Sequence, residues 1–141
     1  MPASKKMSLF LIFGLTSMLS TMMPSYAATP YTVTDAKALD PNSYQGYKVY
    51  RQWCARCHGT FGQGGTKAPN LAASLATISR QEYTRAVTFG KVNRMRKVTK
   101  NDQMPAWQRN PSVMDNINNI YSYLKARSDG AIGTVKPQLG K

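Results

Sequence analysis

Two thiols and an imidazole stand within one turn's length of chain, in the run Cys54-Ala55-Arg56-Cys57-His58, and they are the chain's only two cysteines and its one histidine. Three chemistries use such a set. A closed zinc site takes four Cys, His or carboxylate ligands, and no second cysteine pair or histidine exists to complete one. A redox dithiol is expected beside a βαβ pattern, which the sequence lacks. The third chemistry, covalent tethering of haem, needs two sulfurs that add to the porphyrin vinyl groups and an adjacent imidazole that reaches the iron. One haem c, bound through Cys54 and Cys57 with His58 on the metal, is therefore expected.

The second axial position decides what such an iron does. Met95, Met104 and Met114 are the methionines beyond residue 27. Met114 falls in a helical stripe, where methionine fills core space, and Met95, the main competitor, lies between Arg94 and Arg96 in a strongly cationic segment. Met104 precedes Pro105 in Gln103-Met104-Pro105-Ala106-Trp107, where the proline stiffens a loop that can hold a soft thioether against iron. His58 with Met104 would fill both axial positions and leave electron transfer as the iron's chemistry. An electron carrier rather than an enzyme is expected, with no residue acting as acid, base or nucleophile. Trp107 would hydrogen-bond a haem propionate or pack against the ring. A displaceable sixth ligand would instead make a haem-based ligand sensor.

Positioning these residues falls to a small domain. Lys5 and Lys6 precede an apolar stretch over residues 9–23, and Ser25-Tyr26-Ala27 offers small residues for cleavage, so residues 1–27 read as a signal peptide and the periplasm as the destination. Residues 28–39 read as a flexible arm, 40–128 as the haem-binding domain and 129–141 as a tail. Asp40 and Pro41 suit the N-cap and first turn of a helix that places Tyr47, Tyr50 and Cys54 on one face. Gly46 costs that helix about 1 kcal/mol relative to Ala, which a close backbone contact would justify. Ser79-Arg80-Gln81-Glu82 is a capping-box pattern opening a helix that closes at Gly90. Ser112 is expected to cap a final helix carrying Val113, Ile117, Ile120, Tyr121 and Leu124. The glycine-rich run after His58 lacks the Lys-Ser/Thr ending of a phosphate loop. No stretch alternates as a strand would, so the fold class is all-α: three main helices and long loops wrapped around one haem.

The chain carries 19 Lys and Arg against 6 Asp and Glu, a formal charge of +13. Such a charge attracts acidic surfaces at long range. Nucleic acid is the first thought for a basic protein, but export and the absence of a recognition motif argue against it. Acidic protein faces remain, with transient contact to anionic membrane headgroups. Lys91, Arg94, Arg96, Lys97 and Lys100 concentrate the charge just before the Met104 loop, where they either steer a partner or serve as a solvated face.

The order Cys54-Ala55-Arg56-Cys57-His58, Ala68-Pro69-Asn70-Leu71, Met104-Pro105-Ala106-Trp107 and Tyr121-Ser122-Tyr123-Leu124-Lys125 resembles the class I cytochromes c. The resemblance implies their fold, with Gly46 and Tyr50 of the first helix crossing Ile120 and Tyr123 of the last. It implies that the Pro69 carbonyl accepts a hydrogen bond from His58, and that Leu71 and Trp107 lie at the cofactor. From Met104 through Asn110-Pro111-Ser112-Val113-Met114 to Gly130 the chain also resembles cytochromes associated with pyrroloquinoline-quinone (PQQ) alcohol and methanol dehydrogenases. That implies a monomeric carrier taking electrons from a quinoprotein dehydrogenase and passing them towards a terminal oxidase or another cytochrome. A haem subunit held permanently on a dehydrogenase is the related alternative. The strong positive charge departs from the acidic cytochromes of the best-known methanol systems.

Overall fold

The computed structural model describes residues 28–34, 38–91 and 103–140 of the 141-residue chain. Its helices are α1 (Pro41–Trp53), α2 (Ala55–His58), α3 (Leu71–Leu75), α4 (Arg80–Phe89), α5 (Pro111–Met114) and α6 (Ile117–Ser128). Three are long, as expected, and three are single turns that bracket the loops. Asp40 caps α1, accepting from the Ser43 amide at 3.0 Å and the Ser43 hydroxyl at 2.7 Å, with Pro41 at the first position. Such a cap contributes about 1 kcal/mol. At α4 both halves of the capping box form between Ser79 and Glu82.

The α1–α6 crossing is the largest contact between elements and it explains Gly46. A Cβ there would sit 1.9 Å from the Asn119 carbonyl oxygen and 2.7 Å from the Ile120 amide nitrogen. The two backbones therefore touch, and only glycine permits it. Tyr50, Tyr123 and Ile120 are fully or almost fully buried around the crossing, with Tyr123 packed against Tyr47 and Tyr50 at ring-centroid distances of 5.3 Å each. Leu75, Tyr83, Val87 and Val113 extend this core beneath α6.

Two expectations are corrected. The final helix does not start at Ser112: Asn110 caps the short α5, accepting from the Val113 amide at 3.2 Å, and α6 begins separately at Ile117. Strands also exist. β1 (Val33–Thr34), β2 (Ala38–Leu39) and β3 (Gln138–Leu139) form a three-stranded sheet, antiparallel between β1 and β2 and parallel between β2 and β3. β2 of the arm is thereby paired with β3 of the tail, with Leu39 and Pro137 fully buried. Among the described residues no helix is long and apolar enough to cross a membrane.

Candidate haem site

The attachment run sits where α1 ends. Cys54 closes that helix, and its carbonyl accepts from the amides of both Cys57 (3.2 Å) and His58 (3.0 Å). This tight turn brings two thiols and an imidazole to one place: Cys54 half-buried, Cys57 exposed and His58 only 7% exposed. Burial first, and the neighbouring Cys57 second, push the Cys54 thiol up to about 12. Burial thus keeps the Cys54 sulfur in its protonated, apolar form. Among the described residues no group of three or more His, Cys, Asp or Glu could hold a metal ion.

His58 is oriented by the loop that follows it. Its Nδ1 lies 3.0 Å from the Pro69 carbonyl oxygen; a carbonyl only accepts, so Nδ1 carries the proton and the Nε2 lone pair is free for a metal. Burial lowers the imidazole pKa, partly offset by the Pro69 bond, which favours the neutral form that ligates. The Pro69 carbonyl is itself held in place. Gly64, at φ +80°, lies against the Pro69–Asn70 peptide so closely that a Cβ would stand 2.5 Å from the Asn70 nitrogen. The Leu71 amide donates to the Gly62 carbonyl at 2.7 Å, and the Gly65 amide to the Ala68 carbonyl at 3.0 Å. Asn70 then caps α3, accepting from Ala73 at 3.1 Å.

Met104 is half-buried against the same core that Cys54, Leu71 and Trp107 border. Its loop is fastened to the end of α4. Lys91 and Met104 exchange both backbone hydrogen bonds at 3.2 Å, and the Trp107 and Gln108 amides donate to Val87 (3.1 Å) and Thr88 (3.2 Å). Gly90, at φ +73°, permits this approach: a Cβ would lie 2.4 Å from the Met104 carbonyl oxygen. The sequence marks Gly90 as a helix stop but carries no sign of this second role. Trp53 is the other residue missed. It precedes Cys54 and meets Trp107 edge to face at 5.5 Å, with its indole nitrogen buried and without a hydrogen-bond partner among the described residues. Met95 and most of the basic segment 91–100 lie outside the described residues.

The donor set fits covalent haem: two free thiols, an imidazole with its outer nitrogen occupied, and a thioether on a pinned loop. A family model described as cytochrome c oxidase, cbb3-type, subunit III, matches residues 42–124. Cytochrome c-555 of Methylococcus capsulatus (strain ATCC 33009 / NCIMB 11132 / Bath) is 34% identical over 95 residues, covering 67% of this chain and 69% of that protein. The chain belongs to the class I cytochromes c. This cytochrome is also 34% identical to cytochrome c-553I of Paracoccus denitrificans over 109 residues, 76% of this chain but 46% of that one. Its fold matches the crystal structure of the c-type cytochrome XoxG from Methylobacterium extorquens AM1 with a TM-score of 0.68 at 36% identity, over 79% of this chain and 66% of that one. Membership brings one covalently bound haem c and the role of electron carrier.

Proposed function

We propose that this cytochrome is a periplasmic carrier of single electrons whose haem is attached at Cys54 and Cys57 and ligated by His58 and Met104. The observation that carries this reading is the pair of backbone devices aimed at the two ligands: the Pro69 carbonyl on His58 Nδ1, and the two-way hydrogen-bonded bridge between Lys91 and Met104. Haem, when bound, supplies the redox change; the chain supplies potential, orientation and a docking face. A proton fixed on Nδ1 sets the tautomer and raises the basicity of Nε2. The Met104 thioether raises the potential relative to stronger donors. Leu71 and Trp107, partly buried against the core, would border the bound ring and keep water from it.

The donor is a quinoprotein (PQQ) alcohol dehydrogenase and the acceptor a terminal oxidase or another cytochrome, a reading supported by the sequence pattern from Met104 to Gly130. The positive charge, with Lys91 beside the Met104 loop, selects acidic faces on these partners. Stopped-flow reduction of the ferric holoprotein by a reduced quinoprotein alcohol dehydrogenase tests both points. Salt screens the long-range attraction between oppositely charged faces, so the rate should fall steeply with ionic strength. A flat salt dependence removes the steering role, and no reduction at any salt concentration removes the donor.

A further inference from the structure

Arg127 stands on α6 with no role yet assigned, and it is 8% exposed. Among the described residues the one ion pair joins Lys125 to Asp129, so this buried guanidinium faces carbonyls and not a carboxylate. Nε–H donates to the Phe61 carbonyl at 2.9 Å and Nη1–H to the Ile132 carbonyl at 3.1 Å. Burying a cation with no carboxylate partner among the described residues is costly, and surface solubility does not account for it.

The position of Phe61 does. Residues 59–70 form the loop that ends on the Pro69 carbonyl, and the two crossing helices each grip its start. Tyr50 of α1 donates its hydroxyl proton to the Gly59 carbonyl, and Arg127 of α6 holds Phe61 two residues on. Next to Phe61, the Gly62 carbonyl takes the Leu71 amide at 2.7 Å. The Gly64 amide donates to the His58 carbonyl at 2.8 Å while Gly64 packs on the Pro69–Asn70 peptide. A continuous path of hydrogen bonds and backbone contact thus runs from the guanidinium to the acceptor of the His58 proton.

We propose that Arg127 is a positioning residue for the axial imidazole, clamping the 59–70 loop so that the Pro69 carbonyl keeps its bond to His58 Nδ1. The proposal rests on His58 being the iron ligand. The expected sign follows from charge. A strong Pro69 bond makes the imidazole more basic and favours the ferric state, so loosening the loop raises the potential. Losing a buried positive charge would lower it instead. Arg127→Lys separates the two effects, because it keeps the charge but loses the planar fork that reaches two carbonyls.

The test is the midpoint potential of purified Arg127→Lys holoprotein, with NMR of the ferric form to identify His58 as ligand through its hyperfine-shifted ring protons. That spectrum checks the ligand assignment independently of Arg127. The expected result is a rise equivalent to roughly a threefold change in the reduced-to-oxidised ratio, about 30 mV at 59 mV per decade for one electron, with faster solvent exchange of the Nδ1 proton. An unchanged or lowered potential alongside a fall in melting temperature makes Arg127 a structural strap only and overturns the proposal. Should the variant fail to accumulate, hydrogen exchange on the wild-type holoprotein decides. The Arg127 Nε, Leu71, Gly64 and His58 Nδ1 protons should open as one unit; Arg127 exchanging far faster than the other three refutes the clamp.

Discussion

Gly46→Ala sets two well-measured effects against each other. Helix propensity alone would make alanine better than glycine by about 1 kcal/mol in the interior of α1. The crossing opposes it: the new Cβ would stand 1.9 Å from the Asn119 carbonyl oxygen, against an ordinary C···O contact of about 3.3 Å. Full relief would need about 1.4 Å of helix separation; a partial separation of about 0.5 Å already forfeits a quarter of each dispersion contact and leaves part of the clash in place. Tyr47, Tyr50, Ile120 and Tyr123 line that seam. If each side chain contributes about 2 kcal/mol by burial, losing a quarter costs roughly 2 kcal/mol, and residual overpacking adds about 1–3 kcal/mol. After subtracting the propensity gain, the net loss is about 2–4 kcal/mol. For a domain of this size that lowers the melting temperature by roughly 10 °C or more. Thermal unfolding of the holoprotein followed by far-ultraviolet circular dichroism measures it. A Gly46→Ala variant as stable as wild type, or more so, would refute the backbone contact between α1 and α6.

Three further outcomes follow from the same geometry. Ser79→Ala removes one side of the capping box on α4 and should cost about 1 kcal/mol in denaturant unfolding, whereas an unchanged midpoint would mean that the box contributes nothing. Burial pushes the Asp40 carboxyl up, but hydrogen bonds from Thr32, Ser43 and Asn42 together outweigh it and hold the group below the ordinary carboxylate range; its stabilisation is present above the unfolded carboxylate value and disappears as pH falls through the folded one. The stability gap between wild type and Asp40→Asn should therefore close on acidification in that window, and a gap constant with pH would contradict the assignment. Gly90→Ala forces a Cβ towards the Met104 carbonyl at a backbone angle that L side chains avoid. The near-infrared band of thioether-to-iron ligation should then melt at a lower temperature than the remaining fold, which is checked by heating the ferric protein while recording that band and circular dichroism together.

The legible parts of this molecule are those where one residue type does one local job. The Cys-x-x-Cys-His run, the Asp40–Pro41 start and the Ser79–Glu82 box each act within a few residues, so spacing alone reveals them. Gly46 was legible for a different reason: a glycine inside an otherwise regular helix is an energetic cost that a close neighbour must explain. The sheet was not legible, since strands of two residues are too short to show alternation and the pairing of β2 with β3 joins segments about a hundred residues apart. The break between α5 and α6 was hidden because Val113 continues the apolar spacing of Ile117 and Ile120 across a turn. Arg127, Gly90 and Trp53 were invisible as site residues for a shared reason. Each acts through a tertiary neighbour, and a basic residue in a last helical turn, a glycine stop or an aromatic beside a cysteine has an ordinary local explanation.

A closed His58/Met104 iron site has a direct signature in the ferric near-infrared spectrum. The wild-type holoprotein should show the weak band of methionine ligation, Met104→Ala should abolish it, and Met95→Ala should leave it intact. A band that survives Met104→Ala, or that disappears with Met95→Ala instead, would rule out Met104 as the ligand.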